Sequence, residues 1–125
     1  MTLYTTSTIR YYRVSVTAWV DAQIGYYYRA LTPKYLNIQP TKYDSHISIV
    51  RYFNTVDRRF WGAYEGKQFV VWYNTDIKYE APYFFLDCWS DGIAAIRQEL
   101  GLPIYPLGRD CYHITIGNDK CQTQI

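Results

Sequence analysis

His46 to Phe53 (HISIVRYF) and Tyr112 to Gly117 (YHITIG) are the two stretches whose reading decides the fold. Each contains one tetrapeptide, His46-Ile47-Ser48-Ile49 or His113-Ile114-Thr115-Ile116, and these hold both histidines of the chain. In an extended chain successive side chains point to opposite faces, so the isoleucines turn to one side and a histidine with its neighbouring hydroxyl to the other. That period of two predicts a half-buried strand in both places. Ahead of the first tetrapeptide, Tyr11 to Val20 (YYRVSVTAWV) alternates Val14, Val16 and Ala18 with Arg13, Ser15 and Thr17, which predicts a first strand. Asp21 then caps a predicted helix over residues 21–32, striped by Ile24, Tyr28 and Leu31 and stopped near Pro33. Ahead of the second, Tyr83 to Trp89 (YFFLDCW) predicts a strand, and Ser90 caps a helix over Asp91 to Leu100 striped by Ile93, Ile96 and Leu100. Gly101 and Pro103 end that helix. Between the halves, Lys67 to Tyr73, a turn at Asn74 to Asp76 and a short strand to Glu80 predict a middle β-hairpin over 67–80.

The two halves repeat one order: strand, Trp-x-Asp, helix, proline-containing loop, then His-Ile-Ser/Thr-Ile. Trp19-Val20-Asp21 leads the first unit and Trp89-Ser90-Asp91 the second. The repeat predicts an internal duplication, with pseudo-symmetric lobes over about 11–53 and 83–117 inside a single domain spanning 1–125. The expected class is α+β: two mainly antiparallel sheets facing a central cleft, with the helices outside.

Composition narrows the function. A chain of 125 residues is one domain's worth, and a hydrophobic fraction of 49% against 19% charged is enough to bury a core. A formal charge of +2 excludes the broad positive field that holds duplex DNA non-specifically. Fifteen tyrosines offer flat faces with polar tips, suited to core edges and to platforms for planar ligands. Three cysteines, Cys88, Cys111 and Cys121, are an odd number without a CxxC pair, which argues against a disulfide framework and points to a reducing, cytoplasmic setting. No apolar run reaches the roughly 20 residues needed to span a bilayer, and Met1 to Arg10 lacks the apolar core of a leader peptide.

The chemistry sits in the tetrapeptides. A lone histidine on a strand is commonly structural, but two, each followed by the same isoleucine and a hydroxyl and each at the same place in a repeated unit, indicate a shared task. Imidazole titrates nearest neutrality, so a pair supplies a base and an acid for one displacement. Ser48 and Thr115 supply hydrogen-bond donors for the non-bridging oxygens of a phosphate. Cys111, His113 and Cys121 match no standard zinc spacing, so neither a metal nor another cofactor is expected. Cys88 alternates with Phe84 and Leu86 and is expected in the core.

Paired H-x-[S/T]-x motifs on strands of a duplicated fold resemble the two-histidine (2H) phosphoesterase superfamily, the LigT-like enzymes, over nearly the whole chain. The resemblance implies metal-independent cleavage of phosphodiesters or 2′,3′-cyclic phosphates, with His46 and His113 as base and acid and with Ser48 and Thr115 holding the phosphate. Small size and aromatic content are most similar to the phage enzymes that destroy the cyclic oligonucleotide signals, such as 3′,3′-cyclic GMP-AMP, of the anti-phage system called CBASS. Those enzymes grip purines between aromatic side chains, and the matching places here are Tyr11 or Tyr12 and Trp72. Ten residues follow Thr115, so a C-terminal lid is expected to be short or supplied by another subunit. Alternative readings are an RNA-end or 2′,5′-oligoadenylate phosphodiesterase and a non-catalytic nucleotide or RNA binder.

Overall fold

The computed structural model describes residues 1–33, 36 and 38–120. β1 (Thr2–Tyr11) is a threonine-rich strand whose Ser7 and Ile9 are fully buried while Tyr4, Thr6 and Arg10 face outward. The chain reverses directly after it: the Tyr12 N–H donates to the Ser15 carbonyl at 2.8 Å, and β2 (Val16–Trp19) runs back along β1. The single strand expected over Tyr11 to Val20 is therefore a hairpin. Its alternation misleads because Val14 keeps the apolar period through the tip, where it is 49% exposed, and no glycine, asparagine or proline marks the turn.

α1 (Gln23–Leu31) follows, and the Asp21 carboxylate accepts the Gln23 N–H at 2.9 Å, satisfying an amide at the helix start. Gly25 inside this helix has a packing cause. Its N–H donates to the buried Ser45 hydroxyl at 3.0 Å, and a Cβ there would lie 2.8 Å from that oxygen. β3 (His46–Val50), β4 (Gln68–Asn74), β5 (Lys78–Glu80), β6 (Tyr83–Trp89), α2 (Asp91–Glu99) and β7 (Tyr112–Asn118) complete the chain. Ser90 caps α2 as expected, its hydroxyl accepting from the Ile93 N–H at 3.3 Å.

All seven strands form one antiparallel sheet rather than two. Its path is β3-β2-β1-β4-β6, β7 takes the other edge of β6, and the sheet nearly closes because β3 and β7 come to lie side by side. The two expected sheets merge because β1 pairs with β4 from Thr2↔Asn74 to Thr8↔Gln68. No middle hairpin forms over 67–80: β5 folds back on β6, and β4 bonds to β1 and to the far end of β6. The class is α+β, with both helices contributing to a single core. Ile24 and Tyr28 of α1 and Ile93 and Ile96 of α2 join Ile9, Val16, Ile47, Leu86, Ile114 and Ile116 there. Among the described residues no helix is long and apolar enough to cross a membrane.

The two halves of the chain share two packing features. Within each half the first strand pairs antiparallel with the last, β2 with β3 and β6 with β7. Each helix also sends an arginine to the motif strand of the opposite half. Arg29 of α1 donates to the Ile116 carbonyl at 2.6 Å, and Arg97 of α2 donates to the Ile49 carbonyl at 2.6 Å. Ile49 and Ile116 are the same position of the two tetrapeptides, three residues after the histidine. The exchange has a cause in the sheet: β3 and β7 adjoin without a ladder, so their carbonyls need other donors.

Gly117 marks the tightest approach to β7. A Cβ there would sit 2.3 Å from Ile38 Cγ2 and 2.8 Å from the Gln39 backbone oxygen, and backbone cannot rotate aside. Gly117→Ala is expected to destabilise by about 1–3 kcal/mol through overpacking, read as a lowered midpoint of chemical unfolding at unchanged slope.

Candidate functional site

The alternation read in the tetrapeptides holds. Ile47 and Ile114 are 0% exposed, while His46, Ser48, His113 and Thr115 are half-buried on the opposite face of their strands. The near-closure of the sheet sets the two motif strands next to each other, and the charge of Arg51, directly after β3, acts on His113. Four side chains named from sequence thus lie on adjoining strands of one polar face.

The two histidines have different surroundings. The Nδ1 of His46 lies 2.8 Å from the Asp44 carbonyl oxygen. A carbonyl only accepts, so Nδ1 carries the proton and Nε2 of the neutral ring is a free lone pair. The imidazole leans on Trp19, its partner across the β2–β3 ladder, at a centroid distance of 4.9 Å. Ser48 faces Thr17 in the same ladder. Thr17 Oγ1 is the buried side-chain oxygen that lacks a hydrogen-bond partner among the described residues.

A buried unpartnered hydroxyl costs roughly 1–3 kcal/mol, so its removal by an isosteric methyl is not expected to destabilise. Thr17→Val should keep or raise the melting temperature, read by thermal unfolding. A melting temperature lowered by several degrees would show that the hydroxyl has a structural partner.

His113 sits opposite Asp87 in the β6–β7 ladder. Its Nε2 is 3.6 Å from Asp87 Oδ1, an electrostatic neighbour too distant for a hydrogen bond, and Phe85 covers the ring at a centroid distance of 4.1 Å. Burial holds the His113 pKa below the ordinary histidine value, helped by the Arg109 cation and opposed by Asp87 and Glu80, so the ring is mostly neutral at pH 7. Asp87 is in turn held by Lys78, whose Nζ lies 2.8 Å from Oδ2. Cys111 shares this corner, and burial with the Asp87 carboxylate nearby pushes its thiol up to about 12.

The aromatic residues named from sequence part ways. Tyr11 packs on the core, edge-on to Trp61 at 5.4 Å, with its hydroxyl accepting the Tyr64 N–H at 3.3 Å. The face shared with Arg13, Ser15 and Thr17 does not exist for it, because the turn after β1 intervenes. Tyr12 instead accepts the Trp19 indole N–H at 3.1 Å and borders an open cavity of about 830 Å³ lined also by Thr6, Thr8, Arg10 and Trp19. Neither histidine lines that cavity; Trp19, which does, is the ring that His46 leans on. Trp72 is half exposed on β4, packed against Tyr4 at 5.3 Å and paired across the ladder with Trp89.

Sequence reading missed Asp87, Lys78, Thr17 and the outward residues of β1. Asp87 carried a signal: it is a carboxylate in the middle of the apolar run YFFLDCW, where a charge needs a partner. Of the three residues weighed and set aside as zinc ligands, Cys111 and His113 lie together beside Asp87, and Cys121 lies outside the described residues. Comparison with protein-family models, with curated proteins and with solved structures finds no match.

Proposed function

We propose that this chain is a metal-independent phosphodiesterase of the two-histidine kind, acting on cyclic oligonucleotide signals such as 3′,3′-cyclic GMP-AMP and so serving viral evasion of CBASS. The observation that carries the reading is the paired placement of His46-x-Ser48 and His113-x-Thr115 on adjoining strands, with equivalent arginines crossing between the halves. The cavity bordered by Tyr12 and Trp19 gives a base somewhere to stack, and Trp72 offers a second exposed ring.

The unlike surroundings of the histidines divide the labour. His113 is the base: Asp87 beside Nε2 favours the proton on that nitrogen, leaving the Nδ1 lone pair to take the proton of a ribose 2′-hydroxyl. The 2′-oxygen attacks phosphorus, and the ring that has gained the proton is stabilised by the Asp87 charge. His46 is the acid, its protonated Nε2 delivering a proton to the departing 5′-oxygen while Nδ1–H stays on the Asp44 carbonyl. Ser48 and Thr115 supply hydroxyl donors to the phosphate oxygens. On a cyclic phosphate, water replaces the 2′-hydroxyl.

The test is hydrolysis, in EDTA, of 3′,3′-cyclic GMP-AMP, cyclic tri-adenylate, 2′,5′-oligoadenylate and a 2′,3′-cyclic mononucleotide. Cleavage of the first two is the expected result. Cleavage of only the last two would reassign the chain to RNA-end or oligoadenylate processing. Stabilisation against heat by these ligands without turnover would make it a nucleotide binder, a reading that the Arg109 charge acting on His113 favours.

A further inference from the structure

The corner formed by Asp87, Cys111 and His113 holds more chemistry than a base needs. One donor atom from each of the three lies within 4.8 Å of the other two. Two of the three are fixed in one β-ladder. Asp87 and His113 are direct partners in the β6–β7 ladder, and Cys111 precedes His113 by two residues, immediately before β7. A tetrahedral zinc ion with bonds of about 2.0–2.3 Å needs donors roughly 3.3–3.8 Å apart, which small side-chain rotations supply from this starting point. The oxygen that faces His113 is Oδ1, while Oδ2 already receives Lys78 at 2.8 Å, so the carboxylate is oriented from behind as metal-ligating carboxylates usually are. Arg109, the other nearby cation, is engaged by Glu80 at 2.7 Å.

We propose that Asp87 Oδ1, Cys111 Sγ and His113 Nε2 form a binding site for a single zinc-class divalent ion, with the fourth position open to water. The mixed thiolate, imidazole and carboxylate set selects a borderline-soft ion over calcium or magnesium. On binding, the Cys111 thiol loses its proton to solvent and the metal–sulfur bond replaces the S–H bond. The consequence for activity rests on the reading of His113 as the base. A neutral imidazole that gives its Nε2 lone pair to a metal must carry its proton on Nδ1, so it has no lone pair left for a substrate hydroxyl. Zinc at this site is an inhibitor, and the enzyme is fully active only when the site is empty.

The full chain, stripped with EDTA and desalted, is titrated with cobalt(II) and then with zinc(II). The expected result is one cobalt per chain with a near-ultraviolet thiolate-to-cobalt charge-transfer band that zinc displaces, lost in Cys111→Ser and kept in Cys121→Ser. Absence of the band at excess cobalt, or its survival in Cys111→Ser, would overturn the site. Should Cys111→Ser lose its near-ultraviolet circular dichroism, the wild-type chain still decides: one equivalent of zinc must raise its melting temperature, and an unchanged melting temperature at excess zinc overturns the proposal. Inhibition is read separately. One equivalent of zinc should stop hydrolysis and EDTA restore it, and unaltered turnover by the zinc-loaded protein would refute the regulatory role. Failure of hydrolysis in EDTA itself would refute the phosphodiesterase reading, while the charge-transfer band still judges the metal site.

Discussion

His46→Ala and His113→Ala are each expected to slow hydrolysis of the cleaved cyclic oligonucleotide by about 10²–10⁴-fold in kcat, with circular dichroism showing the fold intact. Both rings are half-buried on a strand whose packing is done by the alternate isoleucines, so removal of either leaves the core untouched. The double variant should be about as slow as the worse single one, because a base and an acid that act in the same displacement lose their shared step once. The division of labour adds a sharper expectation. With a substrate whose leaving group is a good one, such as a nitrophenolate, proton delivery matters little, so His46→Ala should recover most of its lost rate while His113→Ala should not. Recovery by His113→Ala alone would reverse the two roles, and near-wild-type turnover by either variant on the natural linkage would sink the mechanism. Ser48→Ala and Thr115→Ala are expected to cost about 10²-fold each, the scale of one donor lost from a developing charge.

What could be read from the chain, and what could not, follows from the range of the forces involved. Strand alternation and helix stripes are local, so β3, β6, β7 and α2 were legible, down to Ser90 as a cap. β1 escaped because its mostly threonine and tyrosine positions give little apolar contrast, and because its main partner, β4, is 60 or more residues away. The same long-range pairing turned two expected sheets into one, which no local period reports. β5 pairs with β6 rather than β4 because the turn at Ala81 and Pro82 brings Lys78↔Phe85 into register, while the two edges of β4 pair with β1 and β6. The candidate site was half legible. The motif residues announced themselves by repetition and Asp87 by a charge inside an apolar run, whereas Thr17 and Lys78 acquire meaning only from the ladders that place them across from Ser48 and Phe85.

Arg97→Met is expected to destabilise the protein by about 3 kcal/mol, a drop of roughly 10 °C in melting temperature for a domain of this size. Arg97 is 5% exposed, and its guanidinium is held by carbonyl oxygens: Pro103 through Nε at 2.8 Å and Ile49 through Nη1 at 2.6 Å. Burial lowers its pKa, a sign that the charge is costly where it sits. Replacing a buried ion pair by apolar groups is often harmless because both charges leave together, but here the partners are backbone and cannot be removed. Methionine would relieve the desolvation of the guanidinium and leave two carbonyls unpaired, at about 1–3 kcal/mol each. Arg29→Met supplies the internal comparison. Arg29 makes the equivalent bond to Ile116 from a more exposed position, where water can take over, so its loss should cost about 1 kcal/mol. Equal losses in the two variants would show that burial is not what sets the cost. If Arg97 also fixes where β3 lies relative to β7, Arg97→Met should lower kcat at temperatures well below its melting point, because Ser48 and His46 ride on the strand whose carbonyl it holds. Arg97→Lys should recover little of either loss, since an ammonium cannot span the two carbonyls that the planar fork reaches together.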